Sequence, residues 1–234
     1  MALQGAPFAL ISDQTPAFGS DVHLLSQFNI VSQLEPIYIT GQSRLEVFWR
    51  TLILDTSGPD GDYIHSAKVS LGLGFRCVVR RVIWEYLASK TGSELERAKE
   101  YCSSILDRLG PNEFLPSLAE IERYTDPTVL ATSPDYQQAL LKDPREYEGS
   151  IVLKATYRDL FRTNNGLLGL CPRTSQPDDS IWLIKGARVP YVLRPHLGRE
   201  SYTFIGECYV HGAMHGEFMT DKRREAFREI RLVY

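Results

Sequence analysis

Long apolar runs are missing from this 234-residue sequence, and so is an excess of charge of either sign. No stretch approaches the roughly 20 apolar residues that cross a bilayer as a helix. The opening "MALQGAPFALISDQTP" has no basic leader, and its apolar part is too short for a secretory signal. Against 29 acidic side chains stand 26 basic ones, a net charge of −3 that supplies no long-range pull toward nucleic acid or an anionic membrane. Cysteine is scarce: Cys77, Cys102, Cys171 and Cys208 lie far apart, with no C-x-x-C pair, which excludes a small disulfide-dense secreted fold. Buried free thiols in a reducing cytoplasm are the expectation. No G-x-S-x-G, H-E-x-x-H or P-loop occurs, and "GLGFRC" has Cys77 where a dinucleotide loop needs its third glycine.

What is present describes a folded soluble chain, with 43% hydrophobic and 24% charged residues and length for one large domain or two small ones. A helix is predicted near "SDVHLLSQFNIVSQL", ending before Pro36. A second starts at Arg44, where Leu45, Phe48, Trp49, Leu52 and Ile53 line one face, and "SGPDG" breaks the chain after it. A longer helix follows, with Leu71, Phe75, Val78, Val82 and Tyr86 as its stripe and Gly72 and Gly74 as its weak points. Another carries Leu95, Ala98, Cys102, Ile105 and Leu109, opened by a Ser93-x-x-Glu96 capping box and closed by Gly110-Pro111. "YTDPTVLATSPDY" marks a boundary, and "REYEGSIVLKATYR" reads as a helix leading out of it.

From about residue 158 the period shortens. "DLFRTNNGLLGL" reads as a hairpin turning on Asn-Asn-Gly, and "SIWLI" with "VPYVLR" flank "KGAR" as a second, with Pro190 at a strand start or edge. In "SYTFIGECYVH", Phe204, Cys208 and Val210 share one parity and Glu207, Tyr209 and His211 the other, and "EIRLVY" alternates again. The expected fold is therefore α+β: a mainly helical region over 1–145 packed on a small antiparallel β-barrel of five to six strands over 146–234.

"GECYVHGAMHGE" (206–217) is the strongest candidate for chemistry, with Glu207, His211 and His215 as potential metal ligands and Cys208 as a potential nucleophile. On a helix an i, i+4 histidine pair can meet at one ion, but on a strand the same spacing is roughly 14 Å. The glycines and the strand parity disfavour the helix, although a turn at Gly212 could return His215 toward His211. An offset of three places Cys208 and His211 on opposite strand faces, so an inert core thiol is expected. "DKRRE" and "RRVIWEY" read as solvated helix faces rather than nucleic-acid contacts.

The stretch "LFRTNNGLLGLCPRTSQPDDSIWLIKGARVPYVLRP", followed by "YTFIGECYVHGAMHGE", resembles the C-terminal barrel region of fungal heterokaryon incompatibility (HET) proteins. In that family the blocks are Arg-x-Leu-Phe-x-Thr, a glycine-rich turn, Gly-Asp before a strand, Pro-x-Val-Leu-Arg and Gly-Glu-x-Tyr-Val-His-Gly. Upstream, "FWRTLILDT" resembles the helix that follows the linker in these proteins. Cys171 replaces a usual glycine, Asp178 replaces the glycine before Asp179, and His215 stands where an acidic residue is common.

The resemblance implies structural roles for Arg162, Gly169, Asp179, Pro190, Arg194, Gly206, Glu207, His211 and Gly212. Gly206 is expected to admit close backbone approach, Glu207 and His211 to bond loop backbone at the barrel mouth, and Arg194 to pair with an acid. The family's N-terminal domain looks like an innate-immunity signalling domain and is associated with cell death and, in some members, NAD cleavage. Residues 1–47 before "FWRTL" are too few for it, and its Tyr-x-Ala-Leu-Ser-Tyr-x-Trp-Gly hallmark is missing. The expectation is a non-catalytic recognition or regulatory module without cofactor, acting in nonself recognition and programmed cell death. Its expected partner is a protein, with a HET-domain protein the candidate, and neither nucleic acid nor membrane. A ligand- or metal-binding barrel enzyme built on Glu207, His211 and His215 is the alternative reading.

Overall fold

The longest strand lies where the sequence reading placed none. Ala2–Pro16 forms β1, whose Pro and Gly residues mask its alternation. The computed structural model describes residues 2–17, 21–57, 66–123 and 145–233. After β1 come α1 (Asp21–Val31), α2 (Arg44–Leu52), α3 (Ser70–Ala88), α4 (Gly92–Leu109), α5 (Leu118–Arg123) and α6 (Arg145–Ala155). The remaining elements are β2 (Arg158–Thr163), β3 (Leu168–Pro172), β4 (Ser180–Ile184), β5 (Tyr191–Pro195), β6 (Ser201–Glu207), β7 (Tyr209–Val210), α7 (Asp221–Glu225) and β8 (Arg228–Val233). The fold is α+β, with helices mainly N-terminal and strands mainly C-terminal. The break at "SGPDG" and the boundary at "YTDPTVLATSPDY" fall, apart from Ser57, outside the described residues.

Five strands close a ring in the order β1-β4-β5-β6-β8 and back to β1. An odd ring cannot alternate direction throughout, so one pair must be parallel. That pair is β6 with β8, and the crossover it requires runs through β7 and α7. Trp182, Leu193, Ile230 and Leu232 fill the ring, with Leu3 and Tyr202 packed against them. The Trp182 indole N–H donates to Ser180 Oγ at 2.7 Å, so this buried ring leaves no orphan donor. Alternate residues such as Ile181 and Val192 point the other way, into the larger core shared with the helices.

β1 reaches beyond the ring because two irregularities, at Pro7/Ala9 and at Ile11/Asp13, bend it. Residues 2–10 pair with β8 and β4, whereas Ile11–Pro16 pair with β2, extending the sheet through β3 to β7. The first strand of the region expected to be helical is thus the strand that closes the barrel. α1 and α2 lie against β1–β3, and Phe28, Phe48, Phe75, Tyr147, Trp49 and Phe114 run edge-to-face through the helical layer.

Two local expectations are corrected. On α3 the buried row is Leu71, Phe75, Val79, Ile83 and Leu87, with Val78, Val82 and Tyr86 half-buried, and both α1 and α6 pack against this helix. Gly72 there makes room for Phe114, whose ring would stand 2.5 Å from a Cβ. α4 starts at Gly92, with the extended Thr91 as its N-cap and no side-chain cap bond, so Ser93 lies inside the first turn. Ser-x-x-Glu signatures do cap α2, where the Glu46 N–H donates to Ser43 Oγ at 3.1 Å, and α5, where the Glu120 N–H donates to Ser117 Oγ at 3.2 Å. No helix among the described residues is long and apolar enough to cross a membrane.

Candidate functional site

The segment 206–217 begins at a bulge. Gly206 has φ +154°, and a Cβ there would lie 2.9 Å from Pro172 Cγ, so only glycine suits both the backbone and the space. β5 and β6 slip register between Phe204 and Gly206, which inverts the side-chain parity. Phe204 is consequently exposed while Cys208 is buried, and the expected shared face of the two is not formed. After the bulge Cys208, Tyr209, Val210 and His211 are all buried against β3 and the helical layer.

His211 is 3% exposed, and both of its ring nitrogens are engaged. Nε2 lies 2.7 Å from Gln42 Oε1 and Nδ1 lies 2.9 Å from the Tyr209 hydroxyl. Gln42 Nε2 donates to Glu46 Oε1 at 3.3 Å, which orients the amide with its oxygen toward the imidazole. An amide oxygen only accepts, so the His211 proton sits on Nε2 and Tyr209 donates to Nδ1. Burial pulls the His211 pKa down to about 4, leaving the ring neutral at ordinary pH.

The chain of bonds continues into α2. Arg50 donates to Glu46 at 2.9 Å, to Asp55 at 2.7 Å and to the Ala67 carbonyl at 2.7 Å, and its guanidinium lies 4.5 Å from the Trp49 ring centre. Tyr209, His211, Gln42, Glu46, Arg50 and Asp55 therefore form one continuous polar relay from barrel to helix. Tyr38 adds a second tie: its hydroxyl accepts from the Leu168 N–H at 2.9 Å and donates to the His211 carbonyl at 3.2 Å. It is inserted into the β3–β7 ladder where a direct backbone bond would otherwise close.

Around this relay opens a cleft of about 600 Å³ between the barrel and the connections flanking α2. Arg158, Arg188, Glu207, His215 and Glu217 supply polar side chains along it, and Leu54, Val189 and Met214 supply apolar wall. Leu54 and Asp55 both have positive φ, at 55° and 52°, a strained pair of non-glycine residues in that wall. Glu207 bonds the Arg158 guanidinium at 3.1 Å rather than loop backbone, and His211 uses side-chain partners, so both expected backbone roles are corrected. His215 is exposed, and its backbone N–H donates to Glu217 Oε2 at 2.7 Å. Among the described residues no three His, Cys, Asp or Glu side chains are grouped to hold a metal ion. Burial pushes the thiols of Cys171, to about 12, and Cys208, and the hydroxyl of Tyr209, toward their protonated forms.

The other residues singled out lie elsewhere on the barrel. Arg194 forks onto Asp179, with both bonds at 2.9 Å, and donates to the Thr174 carbonyl, pinning the 173–179 loop. Arg162 bonds Asp13 of β1 and Gln33 after α1. Gly169 leaves room for the Phe161 ring, which would meet a Cβ at 2.6 Å, and Gly212, at φ +77°, admits Thr40. The Pro190 carbonyl, at the start of β5, accepts the Cys208 N–H. Tyr38, Gln42, Arg50 and Asp55 were not foreseen, although Ser43-x-x-Glu46 and the Glu46/Arg50 spacing were visible signals.

Fold and site together define a small closed β-barrel buttressed by helices, with a polar-lined cleft at their junction. The Het-6 beta-barrel domain family matches residues 135–230, so this part of the chain is similar to a heterokaryon incompatibility barrel region. β1, which closes the ring, lies outside that span. Heterokaryon incompatibility protein 6, OR allele, of Neurospora crassa is 39% identical over 69 residues, covering 29% of this chain and 10% of that protein. The match thus spans about a tenth of the relative's length. No solved structure matches the chain.

Proposed function

We propose that the chain is a non-catalytic recognition module of the fungal heterokaryon incompatibility response, engaging a protein partner through the cleft beside His211. One observation carries this reading: the groups in the cleft best suited to catalysis are tied to one another. His211 is neutral with both nitrogens bonded, Cys208 and Tyr209 are held protonated, and Glu207 faces Arg158. A general base needs a free lone pair within reach of substrate, and a thiol nucleophile needs a thiolate. The exposed rim formed by Arg188, Glu207, His215 and Glu217 is instead open to a partner. The relative's name supports a role in incompatibility, and a HET-domain protein in the cytoplasm is the proposed partner.

A hyphal-fusion assay tests this reading. The chain is expressed in one of two fungal strains and vital-dye uptake is scored in fused cells. The wild-type chain is expected to change the fraction of dying fusion cells, and Arg188→Glu with His215→Ala is expected to abolish the change while thermal stability is kept. No effect of the wild-type chain, or an unchanged effect in the variant, overturns it.

A further inference from the structure

We propose that Cys171 and Cys208 are a cross-strand dithiol that a hydroperoxide converts to an intramolecular disulfide. Register is the main argument. β3 and β7 pair antiparallel with Gly169 opposite Val210 and Leu170 opposite Tyr209, so the next step places Cys171 opposite Cys208. The His211 N–H donates to the Leu168 carbonyl, which makes 168/211 and 170/209 the hydrogen-bonded positions of the ladder and 169/210 and 171/208 the non-hydrogen-bonded ones. The Cys208 N–H turns away to Pro190, as that assignment requires. Non-hydrogen-bonded partners have Cα atoms about 4.5 Å apart, inside the range of about 4.4 to 6.8 Å that a disulfide spans.

Two further observations agree. The neighbouring contact of Gly206 with Pro172 shows β3 and the β6–β7 segment running side by side through this point. Burial is the main influence on both thiols, and Cys208 lies close enough to Cys171 for the two to interact electrostatically. Both thiols are free and buried, whereas Cys102 is buried in α4 and Cys77 lies on α3.

Cys208 lines the cleft and is the sulfur an oxidant reaches first. Its Sγ attacks one peroxide oxygen, the O–O bond breaks, and the departing hydroxide takes the thiol proton as water, leaving a sulfenic acid. Cys171 Sγ then attacks Cys208 Sγ. The S–S bond forms, the S–O bond breaks, and the second hydroxide leaves as water with the Cys171 proton. Two sulfurs are oxidised by one electron each, and the two peroxide oxygens are reduced. Burial keeps the thiolate fraction low, so the reaction is slow near neutrality and accelerates as pH rises. The bond would enclose β4, β5 and β6 in one covalent loop and fasten the cleft wall to β3.

The test treats the folded full-length chain with hydrogen peroxide, alkylates remaining thiols in denaturant, and maps the peptides. A Cys171–Cys208 linked peptide lighter by two hydrogen atoms is expected, with Cys102 alkylated and the chain still a single covalent monomer. Tm should rise by roughly 5–10 °C and return with dithiothreitol. Cys208→Ser should lose both the link and the rise. Should that variant not fold, peptide mapping of the wild-type protein decides alone. Alkylation of both Cys171 and Cys208 after oxidation that modifies Cys77, or a link joining any other pair, overturns the proposal.

Discussion

His211 donates its Nε2 proton to the side-chain oxygen of Gln42, 2.7 Å away, joining the end of the barrel's β7 to the loop before α2. The bond that its Nδ1 accepts from the Tyr209 hydroxyl, at 2.9 Å, requires a neutral ring. The folded protein holds the His211 pKa near 4, whereas the unfolded chain has the ordinary value of 6.5. Between those values the unfolded state binds a proton that the folded state refuses, so stability is full above about pH 6.5 and declines as pH falls toward 4. The loss is about 3 kcal/mol once pH is below both values. Urea unfolding at pH 7, 5.5 and 4 measures it, and His211→Gln should flatten the part of the slope that belongs to this residue.

Tyr38→Phe removes the hydroxyl that bridges Leu168 and His211. Two buried backbone groups lose a partner, at an expected cost of about 1–3 kcal/mol. Faster hydrogen exchange at the Leu168 amide, with helix content unchanged, would localise the loss. An unchanged exchange rate would mean that β3 and β7 close directly.

Arg44 caps two helices at once. Its guanidinium donates to the Ser32 and Leu34 carbonyls beyond α1 and to the Arg108 and Leu109 carbonyls at the end of α4. Arg44→Met keeps the stem but leaves these carbonyls without the charge, and about 2–4 kcal/mol of stability should be lost. Denaturant titration checks this, and Arg44→Lys should recover only a fraction because an ammonium cannot fork to both helix ends.

Arg194→Met takes the only ion-pair partner among the described residues from the Asp179 carboxylate, which is 2% exposed and keeps the Gln176 N–H at 2.9 Å. Breaking one side of such a pair costs about 3–5 kcal/mol. The double variant Asp179→Asn with Arg194→Met should be more stable than Arg194→Met alone, a difference that a thermal-shift double-mutant cycle reads directly.

Metal analysis of the chain purified without a histidine tag should return zinc and iron well below one equivalent, because His211 has no free lone pair. Near-integral metal lost in both His211→Ala and His215→Ala would require the Gln42 bond to break and would favour the enzyme reading.

The helices and hairpins were legible because each depends on a local rule. α2 and α4 follow apolar periodicity, α1 ends ahead of Pro36, the β2–β3 turn follows Asn164-Asn165-Gly166, and Pro190 directly precedes β5. β1 was not legible, since Gly5 and Pro7 interrupt its alternation and its bulges divide its face between two partners. Parity failed at Phe204 for a similar reason: one extra residue opposite β5 reverses every later side chain. The family blocks pointed to the right segment but to the wrong partners for Glu207 and His211.

The sequence by itself determined the helical and extended segments, the glycine-marked turns and the resemblance of the β-region to a HET barrel, because these are written in spacing and residue type along one stretch of chain. Tertiary structure alone decided that Ala2–Pro16 closes the ring, that Gln42 meets His211 across 169 positions, and that β3 pairs with β7 at Leu170 and Tyr209. Those relations come from strand order and register. They are set by how separate segments bury their apolar faces together, and no local periodicity encodes them.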